Sequence, residues 1–380
     1  MNTKGLGKHL RPVLLFAALA IFFYVLAGLN PAAAQKLKDL PPPPPAPRLK
    51  PTPTPTPVPP PKDEDVDVIR VTSNLVMVPV SVVDANSQPV LGLKVTDFRV
   101  EELGREQTLT DLGNPDQVPL DIAILFDISS SVSQKGFFQF QQRAAASFLR
   151  QVMKSADRAA IFTIADQPLM VAPLAPADTA AAKIQQIPAA TAPVPTAFYD
   201  TVTAAAKYLI EKSEERHRRV ILVISDGDDN FSSMVKDLTK AEAIANLNGE
   251  VTPAAAKRSL DARRARAVLE VQKGVQQADA AFYSINPGGS SVSMNVISTR
   301  AQNAMQAIAD STGGNAFVPD GERDLERVFN EIAAELRGQY LLQYYSNSQT
   351  GAQFRSIKVS VPLRTELRVR ARQGYYPKAK

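Results

Sequence analysis

The 380-residue chain contains no cysteine and only two histidines, His9 and His217. The absence of cysteine excludes disulfides and thiolate ligands, and with them the commonest zinc sites. A Ser–His–Asp hydrolase would need His217, since His9 lies in a segment with the features of an export signal. His217 precedes a predicted strand, whereas the acidic and hydroxyl residues of interest follow strands. The sequence therefore argues against a serine-hydrolase triad.

The excess of positive charge is small and unevenly distributed. Three of the five net positive charges come from Lys4, Lys8 and Arg11, in a stretch without acidic residues. The rest of the chain is almost balanced, which argues against a nucleic-acid-binding surface. We therefore expect no nucleic-acid partner.

Two amino-terminal segments precede any predicted domain. Residues 1–34 combine a basic start, the apolar run 13–29 and the small-residue end PAAAQ, as in a signal peptide cleaved after Ala34. The apolar run is nearly long enough to span a membrane, so an uncleaved anchor is the alternative. Residues 35–64 form a proline-rich linker that favours polyproline II. Both alternatives place the remaining chain outside the cytoplasm, as a periplasmic or secreted protein, anchored to the inner membrane in the second case.

Strands and helices alternate over residues 117–338. The first predicted strand, residues 120–126, is an apolar run of the kind that parallel sheets bury on both faces. The alternation predicts an α/β fold: a doubly wound, mainly parallel sheet with helices on both faces. A charged helical stretch at about 246–277 exceeds what one crossover needs. It is interpreted as an insertion beside the edge of the sheet at which the strands end.

Short strands with alternating faces lie on both sides of this domain. Residues 65–114 predict about four strands, and residues 339–376 predict about three. Because a two-sheet sandwich needs about seven strands, we expect the two flanks to join in one β-sandwich-like domain. The α/β domain would then be inserted between its strands. The alternative is two separate small β regions.

Oxygen-bearing side chains occur where two predicted strands end and where one helix begins. Asp127, Ser129 and Ser131 follow the first strand, Thr196 precedes a helix, and Asp226 ends the later strand RVILVISD. Open α/β sheets bind ligands at the carboxyl ends of their strands. For the DISSS segment taken alone, a turn that caps the next helix is an equal alternative.

The order of these motifs resembles the von Willebrand factor type A domain and its metal-ion-dependent adhesion site. All five family positions are present: Asp127, Ser129, Ser131, Thr196 and Asp226. The resemblance implies a Mg²⁺ site, with Mn²⁺ or Ca²⁺ as alternatives. Two carboxylates and three hydroxyls leave room at the ion for water or an outside group. In the family, that group is typically an Asp or Glu carboxylate of a partner protein.

The succession of regions also resembles a group of bacterial secreted proteins with type A-related domains. The resemblance rests on the export signal, on VSVVDANSQPVLGLKVTDFRVEE before the type A domain, and on QYLLQYY and VRARQGYY after it. It implies no particular activity.

The leading prediction is a non-enzymatic, extracytoplasmic binding module that engages a partner carboxylate through a divalent cation. One alternative is a metal-assisted hydrolase, in which Asp228 would have to act as the base. Another is an envelope scaffold with a vestigial metal site. Asp228 and Asp229 are interpreted as solvated turn acids, with shaping of the loop or a higher affinity for the cation as the alternative. Asp200 is interpreted as a first-turn residue stabilised by the helix dipole rather than as a ligand.

Overall fold

The computed structural model describes residues 75–129, 138–249, 251–289, 296–346 and 353–377. The predicted signal segment or anchor, the proline-rich linker and Ser131 lie outside these ranges. Within these ranges, no helix has the length and the apolarity that spanning a membrane requires.

Six strands form the central sheet of the α/β domain. They are β5 (Leu120–Asp127), β6 (Arg158–Ile164), β7 (Leu169–Ala175), β8 (Arg218–Ile224), β9 (Ala280–Ile285) and β10 (Asn315–Phe317). Their order across the sheet is β10-β9-β8-β5-β6-β7. Every neighbouring pair is parallel except β6 and β7. All of β5 is buried, so the mainly parallel sheet and its covered first strand are confirmed.

Helices cover both faces of this sheet. The helices are α1 (Phe138–Val152), α2 (Ala177–Gln185), α3 (Phe198–Lys212), α4 (Ser233–Lys236), α5 (Lys240–Leu247), α6 (Pro253–Gln277), α7 (Val296–Thr312) and α8 (Glu322–Arg337). Ile122 and Ile124 of β5 share one core with α1, α2 and α8, while Ala123 and Leu125 share the other with α3, α6 and α7. The two cores follow from the alternation of side chains along a strand.

The charged stretch at about 246–277 is not an insertion for most of its length. It contains α6, which connects β8 to β9 and buries Arg263, Ala267, Val271 and Val275 along one face. These residues recur every four positions, the spacing of one helix face. Lysines, arginines and glutamines around this narrow stripe give the sequence its charged character. The two short helices α4 and α5 are the part of this connection that a single crossover helix would not need. None of the residues of α5 is buried.

Strands from both flanks join in two antiparallel sheets. The first has the order β13-β1-β11-β4 and the second β14-β12-β2-β3. The strands are β1 (Leu75–Val83), β2 (Arg99–Glu102), β3 (Arg105–Gln107), β4 (Leu109–Gly113), β11 (Tyr340–Tyr345), β12 (Arg355–Ser360), β13 (Arg368–Ala371) and β14 (Gly374–Tyr375). Val78 and Leu342 from one sheet share a core with Val100 and Ile357 from the other. The joint β-sandwich is confirmed, with eight strands rather than about seven.

The β-sandwich contacts the α/β domain through β13 and the turn that follows it. Arg370 Nη2 of β13 lies 2.5 Å from Glu335 Oε2 of α8, and Glu335 also accepts a hydrogen bond of 3.0 Å from Tyr283 Oη. Gly313, at φ +83°, lies against the backbone of Arg372, and a Cβ there would meet Arg372 N at 2.7 Å. The contact therefore requires glycine at this position.

Candidate metal centre

Two of the predicted donors lie at the ends of neighbouring parallel strands. Asp127 is the last residue of β5, and Phe126 lies opposite Ile224, the last residue of β8. Asp226 therefore leaves the sheet beside Asp127, at the carboxyl edge. The chain after β5 leads to β6 on one side, and the chain after β8 leads to β9 on the other. The two acids thus lie at the switch point of the sheet, where open α/β folds bind ligands.

Thr196 is held at the same edge by backbone hydrogen bonds. The next residue, Ala197, donates its N–H to Ala165 O just beyond the end of β6, over 2.7 Å. Thr196 N donates to Asn230 Oδ1 over 2.9 Å. In return, Thr196 O accepts from the N–H groups of Asn230 and Phe231, both at 3.1 Å. The loop that carries Thr196 is therefore tied to the loop that follows Asp226.

Asp127 is fully buried and held from both sides. Its Oδ1 accepts a hydrogen bond of 2.7 Å from Ser129 N, and its Oδ2 accepts one of 2.5 Å from Ser225 Oγ. Burial raises the pKa of Asp127 to about 6, with the charge of Asp226 adding to the rise and the two serines partly offsetting it. A carboxylate with this pKa lacks sufficient compensation for its negative charge. A bound cation would supply that compensation.

The turn after β8 depends on glycine at position 227. Gly227 has φ +72°, and a Cβ there would lie 2.9 Å from Met305 of α7, which is fully buried. Its N–H donates to Ser225 Oγ over 2.9 Å, and Asp228 N donates to Asp226 Oδ1 over 3.3 Å. The turn thus orients the Asp226 carboxylate and the serine that holds Asp127.

The expectation that Asp228 and Asp229 are both solvated is wrong for Asp229, which is only 4% exposed. Its carboxylate accepts hydrogen bonds from Tyr199 N at 2.8 Å, Ser232 N at 3.0 Å and Phe231 N at 3.2 Å. Tyr199 N is one of the N–H groups that the first turn of a helix leaves free. Asp229 therefore caps α3, the helix that begins two residues after Thr196. Asp228 is half-buried.

Asp200 lies in the first turn of α3, as expected, and is also a cap for another helix. Its carboxylate accepts hydrogen bonds from Ser233 N at 2.8 Å and Ser233 Oγ at 3.0 Å. Ser233 is the first residue of α4. Asp200 thus supports the chain beyond the candidate site.

His217 lies at the opposite edge of the sheet, in an ion cluster around Asp121. Asp121 is fully buried, and it accepts two hydrogen bonds of 2.9 Å from Nε and Nη2 of Arg158. His217 Nδ1 lies 3.1 Å from Asp121 Oδ2. Burial raises the pKa of Asp121, but hydrogen bonds from Arg158, Ser213 and His217 outweigh it and hold the pKa below its usual value. The cluster is remote from Asp127 and has a structural role.

The donor set at the carboxyl edge fits a hard divalent cation. Four of the five predicted donors are described, and they supply two carboxylates and two hydroxyls: Asp127, Ser129, Thr196 and Asp226. Such oxygen ligands suit Mg²⁺, Mn²⁺ or Ca²⁺. In the described ranges, no group of three or more acidic or histidine side chains is arranged to hold a metal. A metal at this edge would therefore depend on hydroxyl ligands as well as carboxylates.

The sequence did not assign partners to the residues that orient these donors. They are Ser225, Asp229 and Asn230, all within the segment SDGDDN that contains Asp226. Their proximity to Asp226 was visible, but their partners Asp127, Tyr199 and Thr196 lie far away in the chain. Only the packing of three loops at one edge identifies their role.

Replacing Ser225 by alanine is expected to weaken Mn²⁺ binding by about 10- to 100-fold, the range typical of residues that orient a metal ligand. The substitution removes the hydroxyl that holds Oδ2 of Asp127 but leaves every predicted ligand in place. Calorimetric titration of Mn²⁺ measures the effect. Ser147→Ala, at an exposed position of α1, is the matched control. Equal affinities in the two variants would contradict the role assigned to Ser225.

Comparison with known proteins identifies the α/β domain. Residues 121–331, more than half of the chain, match the family model of the von Willebrand factor type A domain. The chain therefore belongs to the von Willebrand factor type A domain family. Domains of this family are generally adhesion or interaction modules. A search of curated proteins finds no match to the chain.

Several solved structures are similar to this chain at low sequence identity. An aerotolerance-related membrane protein from Bacteroides fragilis is 18% identical, with a TM-score of 0.37 over 57% of this chain and 98% of its own. The vWF domain of the type V pili tip protein Mfa5 from Porphyromonas gingivalis is 13% identical, with a TM-score of 0.42 over 57% and 94%. Proximal thread matrix protein 1 from the mussel byssus, with a zinc-occupied MIDAS motif, is 15% identical, with a TM-score of 0.40 over 61% and 48%. These similarities concern the fold alone.

Proposed function

We propose that this protein is an extracytoplasmic binding module of the adhesion type, which engages an acidic side chain of a partner protein through a divalent metal ion. The observation that carries the proposal is the position of Asp127. It is a buried carboxylate at the switch point of the sheet, held by Ser129 and Ser225. Asp226 and Thr196 reach the same edge from two other loops.

The proposed ligands are the five residues of the family motif: Asp127, Ser129, Ser131, Thr196 and Asp226. Ser131 is included among the proposed ligands on the basis of the sequence alone, because it lies outside the described residues. Mg²⁺ is the proposed ion, with Mn²⁺ or Ca²⁺ as substitutes. When bound, the ion supplies an electrophilic position that a carboxylate from outside can occupy. The protein's own part is to hold the two carboxylates and the hydroxyls at one edge, so that little rearrangement is needed on binding.

The proposed location rests on the amino-terminal segment. An export signal at residues 1–34 would send the folded part to the periplasm or the exterior. If the signal stays uncleaved, it would anchor the protein in the inner membrane, and this is the proposed membrane contact. The proline-rich linker would then act as a spacer between membrane and binding module.

A binding function is favoured over hydrolysis because, among the described residues, neither a histidine nor an oriented carboxylate is placed at the carboxyl edge to act as the general base. The described histidine, His217, is part of the Asp121 cluster at the opposite edge. Asp228 is half-buried, and burial together with Asp226 raises its pKa, a change that by itself would suit a general base. No contact orients Asp228 as a base toward the donors among the hydrogen bonds of the described residues.

Partner binding is expected to require the metal. The full chain, immobilised and exposed to envelope or culture proteins, should retain its partner in 1 mM Mg²⁺ and release at least about 90% of it in EDTA, since the ion is the central contact. A column of Asp127→Ala should retain none of that partner, whereas Asp111→Ala, changed at an exposed residue of β4, should behave as the wild type. A partner that stays bound in EDTA and on the Asp127→Ala column would refute the proposal.

A further inference from the structure

The helix α5 has its polar side toward the protein and its apolar side toward the solvent. The side chain of Glu242 is only 18% exposed and forms an ion pair with Arg263 of α6. On the other side, Ile244 is 59% exposed and Leu247 is 87% exposed. Lys240, Ile244 and Leu247 have the spacing i, i+4, i+7 of one helix face. A helix that only covers its own protein has the opposite arrangement.

Burial does not account for the order of α5. The helix has eight residues, none of them buried, and helices of that length are marginal in water without packing. A capping box holds its first turn. Glu242 N donates to Thr239 Oγ1 at 3.3 Å, and Thr239 N donates to Glu242 Oε2 at 2.6 Å. Single exposed apolar residues need no explanation, whereas Ile244 and Leu247 share one face of a helix that is held in place.

Short contacts connect α5 to the candidate metal centre. Asp229, in the loop of that centre, accepts a hydrogen bond of 3.0 Å from Ser232 N, directly before α4. Val235 O of α4 accepts one of 2.8 Å from Arg263 Nε, and the same guanidinium group pairs with Glu242 of α5. A specific interface covers about 800 Å² of each partner, or a disc about 32 Å across. A protein bound at the metal is therefore large enough to cover α5 as well.

The surroundings of α5 are basic. Five exposed basic residues of α4, α5 and the first half of α6 form no ion pair in the described ranges: Lys236, Lys240, Lys257, Arg258 and Arg266. Of the described acids in this region, Glu242 and Asp261 are paired with Arg263 and Arg300, which leaves Asp237. A positive surface complements an acidic one. A protein that offers an Asp or Glu to the metal has that character at the point of contact.

We propose that α5 is a docking helix, and that the partner bound at the metal receives its Ile244–Leu247 face in an apolar groove beside the acidic residue. This inference rests on the proposed function and adds a second feature of the partner. Binding of a helix in a groove uses anchors at the spacing i, i+3, i+4, i+7. The carboxylate provides the metal-dependent contact, and α5 distinguishes the partner from other proteins with exposed acids.

The probe for the test is the protein that a column of the full chain retains in Mg²⁺ and releases in EDTA. It is repurified and titrated in 1 mM Mg²⁺ against the double variant Ile244→Ser, Leu247→Ser. We expect at least about tenfold weaker binding than by the wild type, the effect of removing two anchors from a groove. Leu363→Ser is the matched control, since Leu363 is 86% exposed but lies between β12 and β13 of the β-sandwich. All forms should bind Mn²⁺ equally and have the same circular dichroism.

Equal affinity of the wild type and the double variant for the eluted protein would overturn the docking role of α5 and leave the proposed function intact. If EDTA releases no protein, the proposed function fails and this inference fails with it. Sedimentation equilibrium and flotation with phosphatidylcholine–phosphatidylglycerol vesicles measure the other occupants of the same face. Dimerisation or lipid binding that the double variant loses, with unchanged affinity for the eluted protein, would assign the face to a second copy of the chain or to a membrane.

Discussion

Replacing Asp127 by alanine is expected to abolish measurable binding of Mg²⁺ and Mn²⁺, with a loss of affinity of at least about 100-fold. Loss of a direct ligand should exceed the roughly 10- to 100-fold effect of a residue that only orients one. Asp127 is fully buried between Ser129 and Ser225. Ser129 and Ser225, the neighbours that hold Asp127, therefore supply no carboxylate that could replace it as a ligand. Calorimetric titration of both ions into the full chain and the variant measures the loss.

The same variant is expected to fold. Burial and the charge of Asp226 already raise the pKa of Asp127 to about 6. A raised pKa contributes stability below about pH 4, and this stability is lost as the pH rises through about 6. At neutral pH the metal-free carboxylate therefore adds little to the fold, and the circular dichroism of Asp127→Ala should match that of the wild type. Asp111→Ala, in β4, controls for loss of an acidic side chain. Unchanged metal binding by Asp127→Ala would contradict the assigned site.

Replacing Asp121 by asparagine is expected to lower the free energy of unfolding by about 3 kcal/mol, because it removes one partner of a buried ion pair. Arg158 would lose a carboxylate that accepts two hydrogen bonds of 2.9 Å. His217 would lose the oxygen that lies 3.1 Å from its Nδ1. Urea unfolding at pH 7 measures the difference from the wild type.

The matched control is Asp178→Asn. Asp178 pairs with Arg150 at 3.0 Å, but its side chain is 89% exposed. Exposed pairs contribute about 0–1 kcal/mol, so this variant should differ little from the wild type. Equal losses in the two variants would contradict the assigned role of the Asp121 cluster.

The effect of Asp121→Asn should also depend on pH. Since the cluster holds the pKa of Asp121 below its usual value, its stabilisation is present above about pH 4 and is lost as the pH falls through the lowered folded-state pKa. The difference between wild type and variant should therefore shrink in strongly acidic solution. A difference that stays constant down to pH 2 would show that charge is not its cause.

The donor residues of the candidate site were predictable from local sequence, whereas the contacts that hold these donors in place were not. Asp127 and Asp226 follow buried strands, and parallel strands bring their ends to one edge. Ser225 holds Asp127 from 98 positions away, and Asp229 holds the first turn of α3 from 30 positions away. Contacts over such separations depend on strand order and loop packing. They leave no periodic signal in the sequence.

The sequence by itself determined the alternation of strands and helices and the oxygen donors that follow strands, and it favoured the union of both flanks in one β-sandwich over two separate β regions. These follow from local periodicity, from the number of strands that a sandwich needs, and from the positions of acids and hydroxyls after strands. Only the tertiary structure decided that α6 belongs to the core, that Asp229 is buried, and that α5 presents Ile244 and Leu247 to the solvent. Burial and electrostatic environment depend on which elements pack together, because a side chain's neighbours come mostly from distant parts of the chain.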